Sequence, residues 1–410
     1  MTPPGRDLWP ASVPANANRS PSQHLSSGDL NSGTGVRDTH IVPAMTFAKV
    51  AWQDARYRTP RFTHTTDQHL ESTLGWLKRA QNQFPSGGVS YGYSLRGGFL
   101  PPYRETSGYI LTTLYRAADQ LGDQEYSDRA ERIARWLVSV QNLDGSFSNP
   151  KFGPSGIVFD TGQCLFGLVA AYERTADDLF LNAACNAGRW LVGALGRERM
   201  WKRSEHKATA HTYNSRTAWA LLRLHQIAPS PSWVTAARSN LNWAVENQTP
   251  SGFFVDNAFV KGDAPYTHNI SYAICGLQES GWFLDDSRYI DAARRCSDAA
   301  LALMRSDGFI PGQLRVDGRP AATYSCLTGQ AQLSIVWAKQ FESTGDSRYQ
   351  AAARTSLGFV KNHHRVHDAN PAIQGAVAGS FPIWGRYAPL SYPNWAAKFF
   401  VDALLLERKW

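Results

Sequence analysis

No stretch of this 410-residue chain approaches the twenty or so apolar residues that a membrane-spanning helix needs. No basic start leads into a short apolar run, so a secretory leader is not expected. Cysteine is scarce. The five thiols (Cys164, Cys185, Cys275, Cys296 and Cys326) are odd in number and form no Cys-x-x-Cys pair. That argues against a disulfide framework and a structural zinc site, and no metal or cofactor is expected. Four of them fall within helical stretches and Cys326 just before one, where a thiol serves as a small core residue. A reducing, cytoplasmic location is the expectation. No run of one charge sign occurs either. The net charge of +8 is scattered, which argues against a nucleic-acid footprint. A mildly basic surface suits an acidic substrate, or is simply a soluble surface.

The first 61 residues also lack apolar periodicity. They are dense in Pro, Ser, Asn and Gly, cannot bury enough surface to offset chain entropy, and are expected to be a disordered tail. Residues 62–410 read as one domain, because a two-part pattern returns six times there at intervals of roughly 55 to 65 residues. One part is an aromatic-led helix end running into a Gln/Asn-Gly loop: WLKRAQNQFPSGG at Trp76, WLVSVQNLDGSF at Trp136, WLVGALGRERMW at Trp190 and WAVENQTPSGFF at Trp243. ALALMRSDGF, ending at Phe309, and FVKNHH from Phe359 are weaker copies. The other part is a polar cluster opening a small-residue-rich helix, as in ETSGYILTTLYRAAD from Glu105 and DTGQCLFGLVAAYERTAD from Asp160.

DQEYSDRAERIARWLVSVQ sets a mixed-charge face against an Ala/Ile/Leu face, the signature of a surface helix. DTGQCLFGLVAAY is apolar almost all round after its first residues and so belongs inside. Six outer–inner pairs make about twelve helices, and an all-α, closed (α/α)6 toroid is predicted. Closure protects the apolar ends that an open solenoid would have to cap, and no polar cap repeat stands before ALLLERKW. Asp123, Asp178, Asp286 and Asp346 are predicted to cap outer helices.

Inner helices running the same way bring their N-terminal residues to one mouth. The candidates there are Glu105, Asp160, the cluster His211, Tyr213, Asn214 and Arg216, then His268 and Asn269, Gln330, Asn394 and Trp395, with Tyr109 and Gln163 close behind. Each also reads as an N-cap or a loop polar; six clusters in one phase point to a shared site. The densest suits a uronic acid: Asn214 and Arg216 neutralise the sugar carboxylate, and Tyr213, His211 or His268 abstracts the C5 proton, giving a lyase or an epimerase. As the alternative, Glu105 and Asp160 on adjacent inner helices, whose axes pack about 8–10 Å apart, form the acid–base pair of an inverting glycoside hydrolase. Tyr91, Tyr93, Phe99, Tyr103, Trp384, Tyr387, Tyr392 and Trp395 supply sugar-stacking candidates. The Gly-rich segments SGGVSYGYSLRGG and GAVAGSFPIWGRY read as mouth loops. A third reading is a non-catalytic toroid that binds a glycan or a synthase partner.

The QNLDGSF-type junctions are similar to the repeats of the squalene-cyclase and prenyltransferase toroid superfamily. The fuller set (GGVSYGYSL, YRETSGYI, FDTGQCLFGLVAAYERT, HTYNSRTAWALL, THNISYAICGLQESG, YSCLTGQAQLSIVW, SYPNWAAKFFVDALL) resembles a group of bacterial proteins that accompany exopolysaccharide biosynthesis clusters, the VpsJ type. The resemblance spans roughly residues 70 to 407. It implies an α/α toroid, a polysaccharide or oligosaccharide substrate, and partners in polysaccharide-synthesis machinery. It implies no set of catalytic residues. Terpene cyclases need an Asp-x-Asp-Asp motif that is missing here. The zinc ligands of prenyltransferases and of lanthionine-forming toroids are likewise not found, since Asp160 and Cys164 have the wrong spacing.

Overall fold

The computed structural model describes residues 44–55 and 64–410, apart from 196 and 198. Most of the expected tail, residues 1–61, lies outside the described residues. Its described part, α1 (Ala44–Ala55), is a helix. Val50 is buried, Asp54 Oδ2 accepts the Ile383 backbone N–H at 2.8 Å, and Gln53 Oε1 accepts from Arg365 at 2.7 Å. A short helix-favouring stretch, AMTFAKVAWQDA, interrupts the polar composition and finds a surface to pack on.

Twelve further helices build the ring. They are α2 (Thr66–Asn82), α3 (Arg104–Leu121), α4 (Gln124–Ser139), α5 (Val158–Thr175), α6 (Asp178–Leu195), α7 (Ser215–Ile227), α8 (Pro231–Glu246), α9 (Thr267–Leu284), α10 (Ser287–Leu301), α11 (Leu327–Thr344), α12 (Ser347–Asn362) and α13 (Asn394–Glu407). The helices α3, α5, α7, α9, α11 and α13 pack each against the next, and α13 returns to α3, so the inner ring closes as predicted. Inner α5 buries every residue from Val158 to Ala171. Outer α4 buries Tyr126, Ala130, Ile133, Ala134 and Leu137, a stripe at three- and four-residue steps. Inner neighbours approach closely: a Cβ on Gly167 of α5 would stand 2.3 Å from the Gly108 carbonyl oxygen of α3.

Among the outer helices, each inner helix from α3 to α11 packs most closely on the one that follows it in the chain. The sequence repeat starts instead on an outer helix, so repeat and packing pair are out of phase by one helix. The offset leaves α13 without a successor, and α2 takes that place. Thr66 Oγ1 donates to Glu407 Oε2 at 2.7 Å, and Arg408 pairs with Asp67 at 3.1 Å, tying the two ends together.

The loops that run from Gln to Gly have a physical explanation. Gln141 Nε2 donates to the Gly145 carbonyl of its own loop at 2.8 Å and to the Ala183 carbonyl of the next outer helix at 2.9 Å. Gln81 makes the same pair of bonds to Gly87 and Arg129, and Gln248 to Gly252 and Ala292. Each such glutamine therefore staples a loop to the following unit. Asp123, Asp286 and Asp346 cap α4, α10 and α12 as expected, accepting from the N–H of Glu125, Arg288 and Arg348. Asp178 does not: it lies inside α6, and Asp177 caps that helix through the Leu179 N–H at 3.0 Å.

Two small sheets join distant loops at the mouth. β1 (Gly92–Ser94) lies between β2 (Gly98–Phe99) and β5 (Ser391–Pro393), all antiparallel, with Tyr93 opposite both Phe99 and Tyr392. β3 (Ser325–Cys326) pairs with β4 (Ser380–Phe381). No helix among the described residues is long and apolar enough to cross a membrane.

Candidate active site

The first turns of the inner helices converge on one aromatic-walled centre. Phe159 of α5 stacks edge-on to Tyr213, which precedes α7, and lies 5.0 Å from Tyr272 of α9. Tyr272 neighbours His268 at 4.3 Å, and His268 lies 5.3 Å from Tyr387. Trp395 of α13 donates its indole N–H to the Tyr387 hydroxyl at 2.7 Å and meets Tyr91 at 4.7 Å. Tyr91 in turn lies 5.3 Å from Tyr103. The walls are thus drawn from three inner helices, the residues that lead into α3 and α7, and two mouth loops.

Two carboxylates meet at Tyr103, which sits at the N-cap of α3 without using its side chain as a cap. Its hydroxyl donates to Asp160 Oδ2 at 3.0 Å and accepts from Asn149 Nδ2 at 2.9 Å. Glu105, in the first turn of α3, is a further hydrogen-bonding neighbour of that hydroxyl. Burial, then the charges of Asp160 and Glu105, push the Tyr103 phenol well above its ordinary range, so it keeps its proton. The two carboxylates are linked through one hydroxyl.

Arg216 is the cation of the site. It is 5% exposed, its Nε donates to Gln163 Oε1 at 2.7 Å, and one terminal nitrogen contacts Cys275 Sγ at 3.5 Å. The rings of Phe166, Tyr272, Trp219, Phe399 and Tyr109 surround the guanidinium at 5.0 to 5.9 Å. Among the described residues no carboxylate forms an ion pair with it. Cation–π contacts of ~0.5–2 kcal/mol offset part of the cost of burying it, and a bound anion would supply the missing counter-charge.

His268 Nδ1 lies 2.7 Å from Gln332 Oε1, which fixes the proton on Nδ1 and leaves Nε2 with the lone pair. Burial pushes the imidazole down to about 3, against the pull of Gln332 and with a further push from Arg216. His211 and Tyr213 stack face to face at 4.6 Å. The Tyr213 hydroxyl is buried and finds no hydrogen-bond partner among the described residues, and burial drives its phenol well above the ordinary range. Beneath this layer Lys398 and Arg116 both pair with Asp402, at 2.6 and 3.0 Å.

Glu105, Asp160, Tyr91, Tyr109, Gln163, Tyr213, Arg216, His268, Tyr387 and Trp395 are therefore brought together, with His211 stacked behind Tyr213. Others in the expected set serve the frame. Asn214 donates to Glu205 at 2.8 Å, and its oxygen accepts from Thr217 at 3.3 Å. Asn269 accepts the Tyr266 N–H, Gln330 donates to the Gly308 carbonyl, and Asn394 donates to the Ser90 carbonyl and to Thr106. One end of each amide serves loop closure, while Asn269 Nδ2, Gln330 Oε1 and Asn394 Oδ1 are buried with no hydrogen-bond partner among the described residues. Tyr392 is buried in β5, in the field of Arg365 and Asp54, and Trp384 is about half exposed (49%) with no ring contact to the centre. Sequence reasoning gave Tyr103 a stacking role and missed Asn149, Phe159, Tyr272, Gln332 and Phe399. A signal was present for three of them: Tyr272, Gln332 and Phe399 lie four residues after His268, Thr328 and Trp395, one helical turn below a mouth residue.

No family model matches the chain. A stretch of 148 residues, 35% of the chain, is 23% identical to the unsaturated glucuronyl hydrolase of Bacillus sp. strain GL1 and spans 39% of that curated relative. The crystal structure of the GL1 enzyme superposes with a TM-score of 0.67 at 16% identity, covering 84% of this chain and 97% of the other. An unsaturated glucuronyl hydrolase specific for heparin gives 0.65 at 14% identity, over 84% and 97%. The cellobiose 2-epimerase of Bacillus thermoamylovorans gives 0.63 at 13% identity, over 89% and 100%. At such identities the likeness is one of fold, and it agrees with the closed α/α toroid seen here.

Proposed function

We propose that this protein is a carbohydrate-active enzyme that takes an acidic, uronate-containing glycan and cleaves a glycosidic bond between Glu105 and Asp160. The observation that carries the reading is Arg216: a buried guanidinium with no ion-pair partner among the described residues, in a centre that also holds two carboxylates. The sugar carboxylate supplies the missing counter-charge. The aromatic walls take the apolar faces of the rings. One carboxyl group protonates the departing glycosidic oxygen, while the other works as a carboxylate at the anomeric side. The names of the similar proteins, hydrolases of unsaturated glucuronyl groups, support the same substrate class.

The proton-abstraction reading is less well supported. An imidazole held down to about 3 is a weak base for a C5 proton, and a Tyr213 phenol held above its ordinary range, with no hydrogen-bonded base beside it, stays protonated. The likeness to a cellobiose epimerase keeps epimerisation as the second reading. A place in polysaccharide assembly, with contacts to the synthesis machinery, belongs to the same proposal. The test is a panel of uronate-containing and neutral oligosaccharides. New reducing ends on the acidic members alone support hydrolysis. Ultraviolet absorbance of a newly formed unsaturated uronate, or deuterium uptake at C5 without cleavage, would replace it with lyase or epimerase chemistry.

A further inference from the structure

A cleft of about 420 Å³ lies between two loops that each lead from an outer helix to an inner one. Its size falls within the roughly 300–1,000 Å³ of small-ligand pockets. One wall is the loop before α9, and Thr212 holds it. The Thr212 N–H donates to the Asp256 carbonyl at 3.0 Å, and its hydroxyl donates to the Val255 carbonyl at 3.2 Å. Asp256 is kept there at φ 51°, a left-handed conformation uncommon outside glycine. Farther along the same loop, the Phe259 ring stands 6.0 Å from Tyr213 and 6.5 Å from His268. Ala258 and Val260, on either side of Phe259, line the cleft, so it adjoins the aromatic centre. The other wall is the turn 315–319 before α11, closed by the Arg315 N–H on the Arg319 carbonyl at 2.9 Å. The Leu314 N–H donates to the Pro265 carbonyl at 3.1 Å and joins the two walls.

The charges of this cleft balance: Lys261, Arg315 and Arg319 stand against Asp256, Asp263 and Asp317. Asn257 lines it too. That side chain is 2% exposed, and neither its amide oxygen nor its amide nitrogen has a hydrogen-bond partner among the described residues. A buried amide in this state calls for a partner, and it offers the donor and the acceptor that neighbouring sugar hydroxyls use. The surrounding carboxylates accept from further hydroxyls and the cations donate to them. With no net charge, the cleft gives a second acid no added attraction. We propose that it binds the neutral sugar joined to the uronate, with Asn257 reading that sugar's hydroxyls. The inference rests on Arg216 as the uronate site, and it makes the substrate a glycan in which an acidic and a neutral residue adjoin.

The experiment is calorimetric titration in a Glu105→Gln background, so that cleavage does not intervene. The probes are glucuronate, its two β-1,4-linked disaccharides with glucose (glucuronosyl-glucose and glucosyl-glucuronate) and diglucuronate. One mixed disaccharide should bind at least about tenfold more tightly than glucuronate alone, and diglucuronate should lose most of that gain. Asn257→Ala should cut the gain about five- to tenfold and leave glucuronate itself within about twofold. Lys261→Ser with Arg315→Ser, both at exposed positions that leave the core untouched, should cut it in the same direction. Equal affinity for glucuronate and both mixed disaccharides, a gain that survives every substitution, or diglucuronate as the tightest ligand would overturn the assignment. A gain that Asn257→Ala removes while Arg216→Met leaves glucuronate binding unchanged would keep the cleft and sink the reading of Arg216.

Discussion

Arg216 donates its Nε–H to Gln163 Oε1 at 2.7 Å, and this neutral amide is the strongest partner that the buried guanidinium has among the described residues. A charge held this way is costly for the fold and useful for a ligand. Arg216→Met therefore raises the unfolding free energy read from chemical denaturation by about 1 kcal/mol, because an apolar chain suits five aromatic neighbours better than a cation with no carboxylate partner among the described residues. The same substitution abolishes binding of acidic oligosaccharides and leaves binding of neutral ones little changed. Calorimetric titration with matched uronate and neutral sugars reads the difference.

Four histidines are pushed down by burial: His69 and His268 to about 3, His363 and His364 to about 4. Unfolded, they take up protons near 6.5. The stability they contribute is complete above that value and is lost as pH falls through the folded-state values. His69 Nδ1 lies 2.8 Å from His364 Nδ1, a contact with room for one proton, between α2 and the end of α12. The melting temperature should fall as pH drops from about 6.5 to about 4, and His69→Gln with His364→Gln should flatten that slope.

Asp402 balances two cations in the interior, Lys398 at 2.6 Å and Arg116 at 3.0 Å, and accepts from Thr113 at 2.8 Å. Asp402→Ala takes away the carboxylate that Lys398 and Arg116 share and costs about 3–5 kcal/mol in urea unfolding. Replacing Lys398 by Met together with Asp402 by Leu costs much less, since Arg116 is the more exposed of the two cations and reaches solvent.

Gly145 adopts φ +90°, and a Cβ there would lie 2.5 Å from the Asn186 carbonyl oxygen of α6. Gly145→Ala combines backbone strain with a clash against the next outer helix and costs about 2–4 kcal/mol. Gly153→Ala, also at positive φ but with open space around it, costs about 1 kcal/mol. Denaturant midpoints of the two variants separate the local strain from the packing between units.

The ring was legible in the sequence because its two phases obey different rules. Trp-Gln-Gly endings recur since each Gln must bridge its own loop and the next helix, as Gln81, Gln141 and Gln248 do. The site was legible only as a phase. Sequence spacing placed Asp160 and Arg216 at inner-helix starts, but could not tell Asn214, spent on Glu205 and Thr217, from Gln163, which faces Arg216. Both are polar residues near the start of an inner helix, and small differences in direction separate them. Asn149 carried no signal, because its role depends on a loop conformation. The helix α1 was hidden by the composition around it.

The account stands or falls on one comparison: initial rates on a uronate-terminated oligosaccharide for the native protein, Glu105→Gln and Asp160→Asn, with binding followed in parallel. Native protein should release reducing ends, and each variant should lose at least about 100-fold in kcat while still binding the acidic sugar through Arg216. Unchanged rates in both variants, or no cleavage by the native protein of any acidic glycan that it binds, would contradict it.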